Sequence, residues 1–386
     1  MHQNREFITP LDALRLLSRG IPLLDVRSPG EHTKASIPFS INGGILSDAE
    51  RDTIGRIYKE KGAEEAITFG HWFVQGKTKK RRIDGWVQSI QSHDISALFC
   101  ARGGLRSQIA QQWLKEAGTN IPRVHGGYKA LRTELLKVAS PDSTNQPLIV
   151  ITGHTGCGKT RMIHLLSTQF QTINLEHLAA HRGSAFGDRI TPQPAQAVFE
   201  NSLYLQLFKY GQNNHMKPTL VEDESRMIGK IQVPEPFFQS LSCSPRIQLI
   251  RPLPERVEII LQDYIIEEVT RLRNAERESS YVYSQLSQTL LSNLQRISKK
   301  LGGVRFYELI RDIQTACSEQ SQDGSPDHHR HWIRKLLLWY YDPLYEKHLL
   351  KISPLIQKRV HPEELVRDAD SIFCDIFRAL ENMKIA

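Results

Sequence analysis

The chain has 386 residues, of which 40% are hydrophobic and 24% charged, with a formal net charge of +8 at pH 7 and a pI near 9.2. This length suffices for two or three domains, and the lack of any run of about 18 apolar residues excludes a transmembrane helix. No apolar signal-peptide segment follows the amino terminus and the five cysteines are scattered, so we expect a cytoplasmic protein without a membrane contact, and the positive charge modestly favours an anionic partner such as nucleic acid.

Residues 1–137 predict an α/β domain. A helix is predicted after Thr9 and Pro10, and buried strands are predicted at residues 21–27 and 95–99. The second strand runs directly into Cys-Ala-Arg-Gly-Gly-Leu-Arg-Ser at residues 100–107, here called the Cys100 loop. A helix is predicted to follow this loop, and a glycine turn at residues 126–127 opens another.

Cys100 has the surroundings of a nucleophile. It lies where a strand meets a glycine loop and a helix N-terminus, and backbone N–H groups and the helix dipole favour a thiolate there. Arg102 and Arg106 add positive charge, and Arg106 falls at C-x5-R spacing. The alternative is a cysteine that merely closes a buried strand, which two arginines and two glycines in the next six residues disfavour.

The same domain resembles a rhodanese, in which the loop cysteine carries sulfur as a persulfide. The resemblance rests on Leu-Asp-Val-Arg at residues 24–27 with Glu31, on the Cys100 loop, and on Gly-Gly-Tyr-Lys at residues 126–129. Ordinary rhodaneses usually have four residues between the cysteine and the last loop position, whereas five precede Arg106 here. This longer loop is more like that of dual-specificity phosphatases, so loop length leaves a C-x5-R phosphatase open.

An insertion at about residues 40–90 contains a basic segment, Gly-Lys-Thr-Lys-Lys-Arg-Arg at residues 76–82, with Trp72, Phe73 and Trp86 nearby. Its five basic residues are Lys77, Lys79, Lys80, Arg81 and Arg82. They could grip an RNA backbone while an aromatic ring stacks on a base. A solvated basic surface loop beside core tryptophans is the alternative.

Residues 138–147 are polar, flanked by proline and without periodicity, which predicts a linker. Residues 148–253 then predict a P-loop NTPase-like domain with a parallel sheet. Its strands are predicted at the apolar run from residue 148 and at residues 172–175, 218–221 and 246–250.

The first of these strands leads into a phosphate-binding loop of the form G-x-x-x-x-G-K-[ST]. The residues expected to hold a diphosphate are Gly153, Thr155, Gly156, Cys157, Gly158, Lys159 and Thr160. Glycines let backbone N–H groups converge on phosphate oxygens, Lys159 would reach an outer phosphate, and the Thr160 hydroxyl would reach a Mg²⁺ ion. A strand–turn–helix with accidental glycines is disfavoured because the expected strand and helix flank the motif.

Two further segments of this domain suit a ligand site. The acidic turn, Glu-Asp-Glu-Ser-Arg at residues 222–226, follows a predicted strand, where Asp223 or Glu222 could hold a Mg²⁺-bound water and Arg226 could contact substrate. A merely solvated turn is the alternative. The histidine loop, residues 177–187, is rich in Gly, His, Arg and Ser, which suits a loop over a ligand. Its candidate phosphate or nucleotide contacts are His181, Arg182 and Ser184.

Residues 254–386 predict a helical region, with helices at about residues 285–315, 328–341 and 361–383. The aromatic patch at residues 339–345 is either core or a stacking surface. His328, His329 and His331 lack a companion at metal-binding spacing, so no structural metal is predicted. The predicted fold is therefore α/β, with a rhodanese-like domain, a P-loop NTPase-like domain and a helical carboxyl-terminal region.

These motifs occur in combination: the Cys100 loop, the histidine loop, the acidic turn, and Tyr-Tyr-Asp-Pro at residues 340–343. In this combination the whole chain resembles the tRNA 2-selenouridine synthase family. The resemblance implies an enzyme that acts on the wobble 2-thiouridine in the anticodon arm of tRNA. It would replace sulfur with selenium from selenophosphate, the product of selenophosphate synthetase, and would transfer a geranyl group from geranyl diphosphate to that sulfur. We expect a monomer.

The resemblance also implies roles for the motifs. The phosphate-binding loop would bind the diphosphate of geranyl diphosphate, with Lys159 and Mg²⁺ neutralising it. Cys100, Arg102 and Arg106 would serve the selenium step, either through a perselenide or by positioning selenophosphate. The basic segment and residues 254–386 would hold the tRNA. Two other functions stay open, namely an NTP-dependent RNA kinase or NTPase with an attached sulfurtransferase domain, and a C-x5-R phosphatase.

Overall fold

The computed structural model describes residues 6–139, 147–184, 186–187, 192–212, 218–274 and 279–385. The chain divides into two compact units. The first comprises Met1–Gln146, Gln193–His215 and Ile231–Phe237, and the second comprises Pro147–Pro192, Met216–Lys230 and Phe238–Ala386. Most of the predicted linker, residues 140–146, lies outside the described residues.

The amino-terminal part of the chain alternates short strands with helices. In chain order these are β1 (Phe7–Ile8), α1 (Pro10–Ser18), β2 (Leu23–Asp25), α2 (Pro29–Ala35), β3 (Ser40–Asn42), α3 (Asp48–Lys61), α4 (Ala63–Phe73), α5 (Gly76–His93), β4 (Leu98–Phe99), α6 (Leu105–Glu116), β5 (Arg123–Val124) and α7 (Gly127–Leu136). The five strands form a parallel sheet in the order β1-β5-β4-β2-β3. The predicted helices and the two predicted strands are present, although the strands are shorter than predicted.

Strands β1, β3 and β5 were not predicted because two or three residues are too few to show a hydrophobic period. The helix predicted after Thr9 is confirmed as α1, where the Thr9 side chain accepts a hydrogen bond from Asp12 N and Pro10 occupies the first turn. The parallel α/β architecture of this unit agrees with the predicted fold class, while its relation to rhodaneses stays a prediction.

The insertion is helical rather than a loop. The basic segment forms the start of α5, and α5 is fixed to the core through Trp86, which is buried, donates to Gly43 O at 2.8 Å and stacks on Trp113 at 6.2 Å. Lysine and arginine are good helix formers, so a basic run followed by apolar residues at helical spacing folds as a helix. The core-tryptophan expectation holds for Trp86, whereas Trp72 is exposed.

The remainder of the chain contains five strands of a second sheet and most of the helices. In chain order its elements are β6 (Leu148–Gly153), α8 (Lys159–Leu166), β7 (Gln171–Ile173), α9 (Leu175–Leu178), α10 (Gln196–Gly211), β8 (Thr219–Glu222), β9 (Met227–Ile228), β10 (Ile231–Gln232), α11 (Glu235–Cys243), β11 (Arg246–Leu249), α12 (Leu253–Leu261), α13 (Glu267–Asn274), α14 (Ser279–Gln295), α15 (Ser298–Leu301), α16 (Gly303–Asp323), α17 (Arg330–Leu336), α18 (Asp342–Ile352), β12 (Ile356–Val360) and α19 (Pro362–Ile385). Two π-helical turns, Gln262–Ile266 and Leu337–Tyr341, interrupt the helical part. Of the helices described here, none combines the length and the apolar character needed to cross a membrane.

The sheet of the second unit is parallel, in the order β12-β11-β6-β8-β7. Four of its strands are those predicted from the sequence. The fifth, β12, falls inside the region predicted to be helical. Its sequence, Ile-Gln-Lys-Arg-Val, has only Val360 buried, as suits a sheet edge, so it shows no apolar run that would mark a strand.

The helical region has a core of its own. Leu286, Leu309, Ile313, Trp332 and Leu337 are among its buried side chains. The single helix predicted at residues 285–315 is divided into α14, α15 and α16, because the Gly302-Gly303 pair ends α15.

Helix α10 belongs to the first unit, although it was predicted within the P-loop domain of residues 148–253. It contacts α1, α2 and α7. Its buried Asn201 accepts a hydrogen bond from Arg132 Nη1 at 2.7 Å and donates to Ser36 O at 2.8 Å. A helix with buried side chains on several faces does not reveal from its sequence which domain covers it.

Candidate active sites

The Cys100 loop lies at the carboxyl edge of the first sheet. Phe99, the last residue of β4, is in register with Asp25, the last residue of β2, so Cys100 follows directly beside the Asp25–Arg27 turn. Cys100 is buried, and its thiol donates to Ser107 Oγ at 3.3 Å. Ser107 Oγ in turn donates to Gly104 O at 2.8 Å, which closes the loop onto the first turn of α6.

A buried ion pair supports this edge of the sheet. Arg27 Nε lies 2.9 Å from both carboxylate oxygens of Asp25, and Arg27 also stacks over the Tyr128 ring at 4.1 Å. Burial alone would raise the pKa of Asp25, but the hydrogen bonds from His32 and Arg27 lower it overall. The Asp-Val-Arg motif therefore serves as a fixed support beside Cys100.

The Gly-Gly-Tyr-Lys motif packs directly against the backbone of the Cys100 loop. Tyr128 N donates to Cys100 O at 2.8 Å, and Lys129 N donates to Ala101 O at 3.0 Å. A Cβ atom at Gly127 would lie 2.3 Å from Cys100 O and 2.5 Å from Gly103 N, and Gly127 has a φ of +57°. Any side chain at this position would push the loop away from its place.

We expect Gly127→Ala to destabilise the protein by about 2 kcal/mol more than Gly118→Ala, because only Gly127 adds a backbone clash to the cost of positive φ. Gly118 has a φ of +82° and no neighbour within 4 Å of a built Cβ, which makes it the matched control. Urea unfolding of both variants measures the difference. Equal losses of stability would show that the Cys100 loop yields to the methyl group without cost.

Arg106 forms an ion pair with Glu31, which fixes the position of its guanidinium group. Its Nη1 and Nη2 atoms donate to Glu31 Oε2 and Oε1 at 2.5 and 3.1 Å. Burial opposes ionisation of Glu31, but Arg106 outweighs it and lowers the pKa of Glu31 to about 2. Glu31 thus positions the arginine of the C-x5-R spacing.

We expect Glu31→Gln to lower the free energy of unfolding by about 1–2 kcal/mol at pH 7, a value reduced for the partial exposure of the pair. The folded-state pKa lies below the unfolded one, so this stability is present above about pH 4.5 and is lost as the pH falls toward 2. Unfolding titrations at pH 7 and pH 3 measure the change, and the exposed Glu60→Gln serves as the control. A difference independent of pH would contradict the ion pair.

The cavity over Cys100 has more basic than acidic side chains in its walls. It measures about 840 Å³ and is lined by Arg102 and Arg106 of the loop, by Arg51, Arg56 and Lys59 of α3, and by the carboxylates of Glu31 and Asp52. The three residues of α3 were not predicted as site residues, although their spacing on one amphipathic helix was visible. A thiol surrounded by arginine side chains suits a substrate that carries negative charge.

The phosphate-binding loop of the second unit has the predicted strand and helix on either side, β6 and α8. Lys159 Nζ donates to Gly153 O at 3.1 Å and lies 5.2 Å from the centre of the Tyr345 ring. Burial alone would lower the pKa of Lys159, but the acidic groups around it raise it overall, so the lysine stays charged.

Helix α12 fixes the shape of this loop. Arg256 Nη1 donates to Thr155 O at 3.2 Å, and Arg256 also pairs with Asp342 at 2.7 Å. Gly156, with a φ of +80°, leaves no room for a side chain, since a Cβ would lie 2.8 Å from Arg256 O. The Cys157 side chain is buried, so any contact of this residue with a diphosphate would come from its backbone.

A carboxylate cluster faces Lys159 and Thr160. Thr160 Oγ1 donates to Glu176 Oε2 at 3.0 Å, and Glu176 N donates to Glu222 Oε2 at 3.2 Å. Burial and the neighbouring Glu176 raise the pKa of Glu222 and of Glu224. Glu176 and Glu224 were not predicted as site residues; the position of Glu176 just after a parallel strand, β7, was the available signal.

The two predicted magnesium ligands differ in their surroundings. Asp223 Oδ2 accepts a hydrogen bond from Thr152 Oγ1 at 2.5 Å and lies 2.8 Å from His348 Nε2. Burial alone would raise the pKa of Asp223, but the contacts with His348 and Thr152 lower it overall. Glu222 Oε1, by contrast, is buried without a hydrogen-bond partner among the described residues. A carboxylate oxygen without a hydrogen-bond partner in the described part of the chain, together with the nearby Thr160 hydroxyl, provides the kind of oxygen ligands that Mg²⁺ prefers.

No group of three or more His, Cys, Asp and Glu side chains in the described ranges is arranged to hold a metal ion by itself. Mg²⁺ at a phosphate site usually takes only one or two protein ligands and fills its shell with phosphate oxygens and water. Glu222 with Thr160 is sufficient for that mode of binding, so the residues present fit the ion.

A cavity of about 250 Å³ lies at the phosphate-binding loop, where Lys159 and Thr160 line it, and the histidine loop borders this cavity. Arg182 and Ser184 line it; Arg182 lies over the Tyr264 ring at 4.8 Å, and Ser184 Oγ lies 3.0 Å from Tyr264 OH. His181 is buried and accepts a hydrogen bond from Gly183 N at 3.1 Å, so it shapes the loop. Arg226 is exposed and is not among the lining residues.

The aromatic patch is divided between two environments. Tyr340 and Tyr341 are buried in the core of the helical region, whereas Tyr345 lines the cavity beside Lys159. The core alternative is confirmed for Tyr340 and Tyr341, whereas a stacking role for Tyr345 stays a prediction.

The basic segment presents only part of its charge to solvent. Lys77, Lys80 and Arg81 are exposed. Arg82 donates to Ile45 O and pairs with Glu50 at 2.7 Å, and Lys79 lies 4.6 Å from the centre of the Trp113 ring. The contact of this segment with RNA stays a prediction, and it rests on the three exposed residues.

Comparison with known proteins gives a consistent result. The family described as tRNA 2-selenouridine synthase AAA domain matches residues 146–371. Proteins named tRNA 2-selenouridine synthase from Nitrosomonas europaea and Nitrosomonas eutropha are both 41% identical to this chain, over 91% and 90% of it and 93% and 92% of their own lengths. The protein of that name from Marinobacter nauticus is 39% identical over 93% of this chain and 97% of its own. A solved amino-terminal domain from Clostridium difficile 630 is 32% identical over 34% of this chain, but its TM-score of 0.30 is too low to support an argument about the fold.

Proposed function

Because the chain belongs to the tRNA 2-selenouridine synthase family, we propose that it replaces the sulfur of a wobble 2-thiouridine in tRNA with selenium. The observation that carries the proposal is the presence of two differently equipped sites on one chain. One is the buried Cys100 thiol under a cationic cavity, and the other is the phosphate-binding loop with the charged Lys159. An enzyme that only hydrolyses nucleotides would not need the Cys100 site, and an enzyme that only transfers sulfur would not need the phosphate-binding loop.

The first step of the proposed reaction is geranyl transfer. The thiocarbonyl sulfur of the nucleotide attacks the first carbon of geranyl diphosphate, and the bond from that carbon to oxygen breaks, so diphosphate leaves with the electron pair. The N3–H group of the nucleotide loses its proton to solvent. The phosphate-binding loop holds the diphosphate, and Lys159 stabilises the negative charge that develops on it. Arg182 and Ser184, which border the same cavity, contact the substrate.

Thr160 and Glu222 would hold a Mg²⁺ ion at this site, with Asp223 as the neighbouring acid that fixes the local arrangement. When bound, the ion supplies further neutralisation of the diphosphate. The unpartnered Glu222 Oε1 supports Glu222 over Asp223 as the ligand.

The second step is selenium transfer at the Cys100 loop. A selenium nucleophile derived from selenophosphate attacks C2 of the nucleotide, the C2–S bond breaks, and the sulfur leaves as geranylthiol after taking a proton. Alkylation makes this departure feasible, because a thiocarbonyl sulfur is a poor leaving group. Cys100 receives selenophosphate: its thiolate attacks phosphorus, the P–Se bond breaks and releases selenide, and water then frees phosphate from the cysteine. Arg102 and Arg106 bind the anionic groups.

The proposal includes the partners and location. The anticodon arm would contact Lys77, Lys80 and Arg81 and the helical region, and selenophosphate synthetase would supply the selenium donor. We expect a cytoplasmic monomer.

Mass spectrometry of nucleosides tests the proposal directly. The full-length protein is incubated with an RNA that carries 2-thiouridine at the wobble position, with geranyl diphosphate, selenophosphate and Mg²⁺. We expect S-geranyl-2-thiouridine to form first and 2-selenouridine to follow. Selenouridine that forms at the same rate without geranyl diphosphate would remove geranylation from the pathway.

Two alternatives have a specific observation in their favour. The cavity at Lys159 is bordered by charged side chains, as a nucleoside triphosphate site would be, so rapid ATP or GTP turnover would favour an RNA kinase or NTPase. The C-x5-R spacing and the cationic cavity over Cys100 suit an aryl phosphate. Phosphate release that is lost in Cys100→Ser would favour a phosphatase.

A further inference from the structure

A second, apolar cavity of about 350 Å³ lies in the first unit, next to the Cys100 loop. Its walls come from α3, α4 and α6, and nearly all of its side chains are aliphatic or aromatic, with His71 and Arg106 as the charged or titratable exceptions. Its volume falls within the range of about 300–1,000 Å³ typical of ligand sites in proteins.

This apolar cavity adjoins the cavity over Cys100. Leu46, Ile54, Tyr58, Leu105 and Arg106 line both of them. A molecule whose reacting atom lies at Cys100 can therefore extend an attached group into the apolar cavity.

The apolar walls are not closed as a core would be. Tyr58, Ile67 and Leu105 keep 61%, 39% and 45% of their surfaces exposed although they converge on one cavity. Apolar surface held open to water in this way costs free energy that an apolar ligand would recover on binding.

Charge is arranged on one side of this site only. The Cys100 side carries four basic residues, Arg51, Arg56, Lys59 and Arg102, and two acidic ones, Glu31 and Asp52. Arg106 lines both cavities, so the basic side chains outnumber the acidic ones. The combination fits a ligand with a hydrocarbon chain and an anionic attachment.

We infer that the apolar cavity binds the hydrocarbon chain of a prenyl group attached to the nucleotide that reacts at Cys100. The inference rests on the proposed function, in which a geranyl chain on the 2-thio sulfur is the apolar group brought to the Cys100 loop. With the chain held between α3, α4 and α6, the C2–S bond lies at the junction of the two cavities, and the anionic RNA backbone lies among the arginines.

Binding of n-decyl phosphate and n-butyl phosphate to the full-length protein tests the cavity without RNA. We expect decyl phosphate to bind at least tenfold more tightly, since each buried methylene raises affinity up to about fourfold. Ile67→Asp on α4 and Ile109→Asp on α6, both partly exposed and outside the lining of the Cys100 cavity, should weaken decyl phosphate at least tenfold and butyl phosphate less than twofold. Leu136→Asp is the matched control, because Leu136 is 48% exposed in the same unit but lies outside the cavity.

Selenium transfer to preformed substrates tests the role of the cavity in the reaction. RNAs that already carry S-geranyl- or S-methyl-2-thiouridine bypass the phosphate-binding loop. We expect the two aspartate variants to lose selenium transfer to the S-geranyl RNA at least tenfold while transfer to the S-methyl RNA changes less than twofold.

The results of these two experiments distinguish the inference from its alternatives. Chain-length preference that persists in both aspartate variants overturns the inference, as does a change in sedimentation with unchanged decyl phosphate binding, which would assign the face to a protein contact. A third outcome separates the two claims. If the variants lose the preference for decyl phosphate but the unmutated protein makes no selenouridine from any RNA, the hydrocarbon site stands and the proposed function is refuted.

Discussion

Lys159→Ala is expected to lower the rate of geranyl transfer to a 2-thiouridine RNA at least 100-fold. The lysine is the cation of the phosphate-binding loop, it lines the cavity there, and the acidic groups around it keep it charged. Removing a preorganised charge that faces the departing diphosphate costs about 2.7–4 kcal/mol of transition-state stabilisation. The measurement is single-turnover formation of S-geranyl-2-thiouridine with geranyl diphosphate in excess.

Lys351→Ala provides the control, since Lys351 is an exposed lysine of the second unit. The Lys159 variant should retain selenium transfer to an RNA that already carries S-geranyl-2-thiouridine, because that step does not use the loop. Normal geranyl transfer by a folded Lys159→Ala protein would exclude the phosphate-binding loop as the diphosphate site.

Cys100→Ala is expected to leave geranyl transfer within twofold of the wild-type rate and to lower selenium incorporation at least 1,000-fold, on the order of the loss caused by removal of a reacting nucleophile. The loop should keep its shape, because the hydrogen bond from Ser107 Oγ to Gly104 O does not involve the thiol. Mass spectrometry should then show S-geranyl-2-thiouridine accumulating without 2-selenouridine.

The exposed cysteine Cys243 supplies the matched control through Cys243→Ala. Cys100→Ser should behave like Cys100→Ala, since a serine hydroxyl cannot replace the thiolate as the nucleophile. Selenouridine made at the normal rate by either Cys100 variant would end the proposed division of labour between the two sites.

Local sequence was sufficient to predict the strand-to-helix position of the two candidate reactive loops. The glycine spacing before Lys159 and the strand-to-helix position of Cys100 depend on residues that are neighbours along the chain, so their chemistry is visible without a fold. The same holds for helix α1, whose Thr9 cap and Pro10 are adjacent in sequence.

Residues that act from a distance were not visible in this way. Glu176 reaches Thr160 from the end of another strand, and α3 brings Arg51 and Arg56 over Cys100 although 44 or more residues separate them along the chain. Arg82 looked available for RNA, but the fold pairs it with Glu50.

The sequence by itself determined the local chemistry of this protein, namely a phosphate-binding loop, a candidate nucleophile and alternating α/β elements. The tertiary structure decided which side chains complete each site, which oxygen of the acidic turn is left open, and where an apolar cavity forms. The physical reason is that hydrogen bonds within a loop or turn join near neighbours, whereas burial, pKa shifts and cavities depend on strands and helices brought together from distant parts of the chain.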